Sequence, residues 1–167
     1  MARPIIRLTF KNKKAFEIAL DEFVEETVPK QHLAVQKKIA IDLLSRIIEK
    51  TPVGNPSIWA ESSLPPPKGY VGGRARANWQ ISVGAPGSDA SQAPETGVAT
   101  RHPISGLQEA AGFTAMATAK AGATIWIYNN VRYIKRLEDG WSHKQAPAGM
   151  VAISLAEIAA GLTQGTD

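Results

Sequence analysis

Cysteine is absent from the 167 residues, which excludes disulfides, thiolate nucleophiles, iron–sulfur clusters and cysteine zinc sites. Histidine is scarce. His32, His102 and His143 stand alone, none at helical or hairpin ligand spacing to another, so each reads as a surface or satisfied core residue ahead of a metal ligand. Long apolar runs are missing as well: the longest are broken by charge and fall far short of the roughly 20 residues a spanning helix needs. Near the first residue, Arg3 and Arg7 flank only Pro4-Ile5-Ile6, too little for a signal peptide, and no membrane partner is expected. There is no P-loop, no G-x-G-x-x-G, no G-x-S-x-G elbow and no H-E-x-x-H. The carboxylates gather on one helix instead of facing each other across a cleft, so paired acid–base chemistry has no legible site. A small hydrolase using His102 or His143 would lack a nucleophile. Neither an enzyme nor a cofactor is expected.

What is present is 44% apolar residues, enough for one domain spanning 1–167 that buries roughly 70% of its unfolded surface without a metal or disulfide staple. The charge is a mild +4, from 19 Lys and Arg against 15 Asp and Glu. Its distribution is more informative than its size. Residues 1–50 hold ten bases and seven acids, split into Lys11, Lys13 and Lys14, then Glu17, Asp21, Glu22, Glu25 and Glu26, then a second basic group from Lys30 to Lys50. None of these blocks is a continuous basic tract of the kind that marks a nucleic-acid tail.

Apolar pairs at Ala15/Phe16, Ala19/Leu20 and Phe23/Val24, followed by Val28, recur every four residues and predict an amphipathic helix with acids between the pairs. Pro29 either kinks that helix or starts a second one. Leu33, Gln36, Ile39/Ala40, Leu43/Leu44 and Ile47/Ile48 then share a face of a long helix that ends near Lys50 and is closed by Pro52. Residues 51–73 contain five Pro and four Gly, so 54–72 is a long loop, carrying Trp59 and Tyr70. The alternation of Ala75, Ala77, Trp79, Ile81 and Val83 predicts a strand over 74–83, which would put Arg74 and Arg76 on its polar face. A second long loop covers 84–105. A helix is expected over 106–120, a strand over 123–128 ending at Asn129-Asn130, a short helix over 133–139, and a terminal helix over 150–162, with a strand at 150–155 as the competing assignment. The fold class is α+β: long N-terminal helices packed on a small, mostly antiparallel sheet, with two long loops.

Two stretches have recognisable wording. One runs from the long helix through Thr51-Pro52-Val53 to Gly73-Arg74-Ala75-Arg76-Ala77-Asn78-Trp79. The other is Ile127-Tyr128-Asn129-Asn130-Val131-Arg132-Tyr133, continuing through Leu137-Glu138-Asp139-Gly140-Trp141 to Gln145-Ala146-Pro147-Ala148-Gly149-Met150-Val151. Over roughly residues 30–155 the chain resembles the tail-component and neck proteins of long-tailed bacteriophages, the family that includes the lambda-like minor tail protein Z, or tail completion protein. That family's pattern reads T-P-V-D-T-G-R-L-R-x-S-W, then N-N-x-x-Y and L-E-x-G. Here Gly54 to Gly72 is inserted before Gly73-Arg74 resumes it. The resemblance implies a helix packed across a small sheet and a ring, with a hexamer favoured, at the junction of head and tail. It implies no catalytic residues. Partners would be the tail terminator, tail tube or head connector, with DNA passing through the lumen without specific binding. The setting would be the virion, assembled in the bacterial host cytoplasm.

On this reading Trp59, Tyr70, Arg74, Arg76, Tyr133, Leu137, Trp141, Gln145 and Pro147 are candidate interface residues, since aromatic, Arg and close-approach backbone positions suit subunit contacts. For the apolar members a small core capping the sheet is the equal alternative. Glu17, Asp21, Glu22, Glu25 and Glu26 are candidate lumen-facing acids. The alternative function is a DNA-binding accessory protein using Arg74, Arg76, Arg132, Lys135 and Arg136, whose affinity would fall steeply with salt.

Overall fold

The computed structural model describes residues 12–54, 72–88 and 105–164. Most of both long loops, with Trp59, Tyr70 and His102, lies outside the described residues. In chain order the elements are α1 (Lys13–Glu22), a π turn (Phe23–Thr27), α2 (Val28–Lys50), α3 (Arg74–Ala77), β1 (Gln80–Val83), α4 (Ser105–Ala117), β2 (Ile125–Tyr128), α5 (Ile134–Glu138) and α6 (Val151–Gln164). The class is mixed helix and sheet, as the periodicities predict. Among the described residues no helix is long and apolar enough to cross a membrane.

Asn12 starts α1 by accepting the Ala15 N–H at 3.1 Å, a standard N-cap that satisfies an otherwise orphaned donor. Pro29 stands in the first turn of α2, so of its two expected roles it takes that of a helix-starting residue. The chain passes from α1 to α2 through the π turn, in which the Val28 N–H reaches back to the Phe23 carbonyl. A proline in a helix clashes with the carbonyl four residues earlier, here that of Glu25, and a widened preceding turn relieves the clash. At the other end, Thr51 turns extended and its N–H caps Ile48 O at 3.2 Å.

The sheet is a two-stranded antiparallel pair with Gln80 opposite Tyr128, Ile81 opposite Ile127, Ser82 opposite Trp126 and Val83 opposite Ile125. Ile81, Val83, Ile125 and Ile127 therefore share the face that meets the core, as the period of two requires. The strand expected over 74–83 is shorter than the alternation suggests, because residues 74–77 form a helical turn. Gly73, at φ 86°, swings the chain into it, and the Asn78 side-chain amide donates to Arg74 O at 2.8 Å to close it. Ala75 and Ala77 are buried in that turn, as they would be on a strand, so over four residues the alternation did not separate the two conformations. The terminal segment is a helix, not a strand.

The core gathers Leu44, Ile47 and Ile48 from α2, Trp79 and Ile81, Met116 from α4, and Ala146 and Met150 from the segment leading into α6. Leu44, Ile47, Ile48, Met116 and Met150 are all below 2% exposed. Each contributes about 1.5–3 kcal/mol by burial. Gly112 lets α4 lie against α2 and β1, since a Cβ there would sit 3.3 Å from the terminal methyls of Ile41 and Ile81.

Candidate assembly surface

The two segments with recognisable wording meet in space, and most of their polar residues are used to fix one another. Thr51 is the centre of the first set. Its hydroxyl donates to Ile47 O at 2.6 Å and accepts the Trp79 indole N–H at 2.8 Å. Its carbonyl accepts from Arg76 Nε at 3.1 Å and Nη2 at 2.7 Å, and Nη2 also reaches Glu49 O at 3.2 Å. Burial lowers the Arg76 pKa and Glu49 partly offsets it, but the guanidinium stays charged. Gln145 clamps the next stretch: its Oε1 accepts Val53 N–H at 2.9 Å and its Nε2 donates to Val53 O at 3.0 Å.

The second set is built around Glu138. Its Oε2 accepts the N–H groups of Met150 and Val151, both at 2.9 Å, and its Oε1 accepts that of Ala152 at 3.0 Å. One carboxylate thus caps the N-terminus of α6 from outside the helix, where the aligned dipoles favour negative charge. Burial pushes the Glu138 pKa up, and Asp139 adds to that. The donors from Val151, Met150 and Ala152 outweigh both, leaving the group below the ordinary carboxylate range. Gly140 and Gly149 permit this packing. Both have φ above 80°, and a Cβ would run into the Pro147 carbonyl in one case and the Glu138 carbonyl and carboxylate in the other. Asn129 donates to Ala75 O at 2.7 Å and Asn130 to Gly87 O at 2.7 Å, tying the end of β2 to the segments around β1.

The sequence-predicted interface residues therefore separate into two groups. Arg76 is half-buried and Gln145 exposed, and both bond to backbone atoms of the 49–53 stretch, while Leu137 is half-buried against the core. Arg74 is exposed and lies on the helical turn, not on a strand face. Arg74 lines a cavity of about 390 Å³ with Asn130, Val131, Arg132 and Tyr133, so Arg74, Arg132 and Tyr133 are brought together. Trp141 is 65% exposed, with the Arg136 guanidinium 4.8 Å from its ring centroid, a cation–π contact. Pro147 is exposed, with its carbonyl against Gly140. Among the basic residues weighed for DNA, Arg76 is held by two carbonyls, Arg136 lies on Trp141, and Lys135 pairs with Asp139 at 3.0 Å.

The helix ahead of Pro29 is exposed along its length. Neither α1 nor the π turn has a buried residue, and Leu20, Phe23 and Val24 are 45%, 50% and 55% exposed. Glu17, Asp21, Glu22, Glu25 and Glu26 are all exposed on this arm. Glu17 pairs with Lys13 at 3.4 Å and Glu26 with Lys30 at 2.9 Å. The Lys30 hydrogen bond and charge hold Glu26 below its ordinary pKa. His32 and His143 are exposed too, and among the described residues no three His, Asp or Glu side chains are grouped to hold a metal.

No protein family, curated protein or solved structure matches this chain. The resemblance to phage neck proteins stands on the quoted residues alone. Sequence reasoning missed the roles of Thr51 and Glu138. A capping-box spacing would have revealed a local cap, but Glu138 caps a helix that starts 13 residues later. The arm's stripe was visible in the sequence. What covers it was not.

Proposed function

We propose that this protein is a structural assembly subunit, a phage neck or tail-completion component that forms a ring joining the tail to the head. The observation that carries this reading is the arm: a helix with an apolar stripe and no buried residue is built to be covered by another molecule. The quoted motifs add support of a different kind. The residues Thr51, Arg76, Trp79, Asn129, Glu138 and Gln145, which give the resemblance its wording, bond to one another or to their neighbours' backbone. They account for a shared scaffold, while Arg74, Tyr133, Trp141 and the arm are exposed at the surface where partners would meet it. In this role the chain performs no catalysis and needs no cofactor, and DNA passes without specific contact.

Size-exclusion chromatography with light scattering, followed by co-sedimentation with isolated tails and heads, tests the reading. Discrete multimers that associate with one of those particles are expected. A protein that stays monomeric and binds neither would overturn it. Fluorescence anisotropy at about 50 mM salt, where phosphate contacts are strongest, should show no DNA binding.

A further inference from the structure

We propose that the arm of one copy lies in the groove between α2 and α4 of a second copy. This rests on the ring reading above and names the contact that builds the ring.

The arm presents Leu20, Phe23 and Val24 at the i, i+3, i+4 spacing by which an amphipathic helix seats itself in an apolar groove. The groove has a volume of about 600 Å³ and is lined by Lys37, Lys38, Ile41, Asp42, Phe113 and Met116, among others. Phe113 is 60% exposed at its edge. Charge selects the occupant. Residues 13–28 carry five carboxylates against two lysines. Among the described residues Asp21, Glu22 and Glu25 make no ion pair, and neither do Lys37 and Lys38. An acidic, apolar helix thus faces an apolar groove in which two lysines outnumber one carboxylate, Asp42, and both are carried by the same chain. Lengths agree as well: the arm from Lys13 to Thr27 is about 22 Å long and the 13-residue α4 about 20 Å.

The arm and the groove are different surfaces, so the contact is head-to-tail and propagates into a closed ring or an open helix. The acids then serve the subunit contact in place of lining the DNA channel. Apolar residues at the same helix would otherwise stay in water.

The absence of native cysteine makes the test clean. The full-length double variant L20C/F113C, oxidised at micromolar concentration, should give a ladder of covalent multimers on a non-reducing gel. The single variants L20C and F113C should not form one, and an equimolar mixture of the two should give a covalent dimer. Exchanging the charge with K37E/K38E should raise the concentration at which multimers dissociate at least tenfold. L20E/F23E should abolish multimers with an unchanged circular dichroism spectrum, because both positions are solvent-exposed. Covalent dimers from L20C alone, as abundant as the double variant's products, would mean that arms pair with each other and would overturn the proposal. Multimers by light scattering without any L20C/F113C cross-link would overturn it while leaving the ring reading intact. A monomer at every concentration that still binds tails would overturn the arm contact alone; one that binds nothing would overturn both.

Discussion

Replacing Thr51 with Val keeps the shape of a buried side chain and deletes two hydrogen bonds. Thr51 is fully buried and Trp79 is 5% exposed, so water does not take over as acceptor for the indole N–H. Losing an ordinary hydrogen bond costs about 0.5–1.5 kcal/mol, and stranding a buried donor costs about 1–3 kcal/mol. Thr51→Val should therefore destabilise the fold by about 2–3 kcal/mol. Trp79→Phe removes the donor and leaves the Thr51 hydroxyl still donating to Ile47 O, so its cost comes from the lost ring volume. In the double variant the stranded donor no longer exists. The double-mutant cycle should then show a coupling of about 1–2 kcal/mol, within the range for residues in contact. Urea unfolding followed by far-ultraviolet circular dichroism measures all four proteins without relying on the fluorescence of Trp79. A cost for Thr51→Val below about 0.5 kcal/mol, or strict additivity of the two substitutions, would refute the role given to this hub.

Glu138→Gln should cost about 1 kcal/mol at pH 7, the low end for a charged acceptor because the group is only half-buried. The folded pKa of Glu138 is lowered, so its contribution is complete above the unfolded value of about 4.3 and is lost as pH falls through the folded value; the stability gap between wild type and Glu138→Gln should close in that acidic window. Gly149→Ala should destabilise by at least about 1–2 kcal/mol, the cost of a left-handed backbone for an L-residue, read as a lowered urea midpoint. Gly161→Ala is the opposite case: this glycine lies inside α6 with open space where a Cβ would go, and the exchange should raise stability by about 0.5–1 kcal/mol in the same assay.

Helix periodicity and the β2 segment were legible because they depend on local spacing and composition: Leu44, Ile47 and Ile48 could be assigned to one face from their positions alone. Residues 74–77 were not legible. Two buried alanines and two arginines satisfy a strand and a helical turn equally, and the decision came from Gly73 and from Arg76 reaching Thr51 across 25 residues. The candidate site divides in the same way. Arg76 and Gln145 carry interface chemistry in the abstract, yet both bond to backbone atoms of the 49–53 stretch, which no sequence spacing reveals. Trp141 stays 65% exposed even with Arg136 over its ring, and Tyr133 40% exposed.

The π turn at Phe23–Thr27 sets the direction of the arm as well as accommodating Pro29. A turn closed by an i to i+5 bond holds about one residue more than an α-helical turn, which offsets what precedes it by roughly 100° about the axis. The azimuth of Leu20 and the rest of α1 relative to the α2 core face is thus written into the π turn, which itself carries Phe23 and Val24. Regularising that turn would delete no contact residue while re-aiming α1. In a head-to-tail assembly, the angle between successive subunits decides between a ring of fixed size and an open spiral. The curvature of such an assembly would then be encoded at Pro29, apart from its affinity.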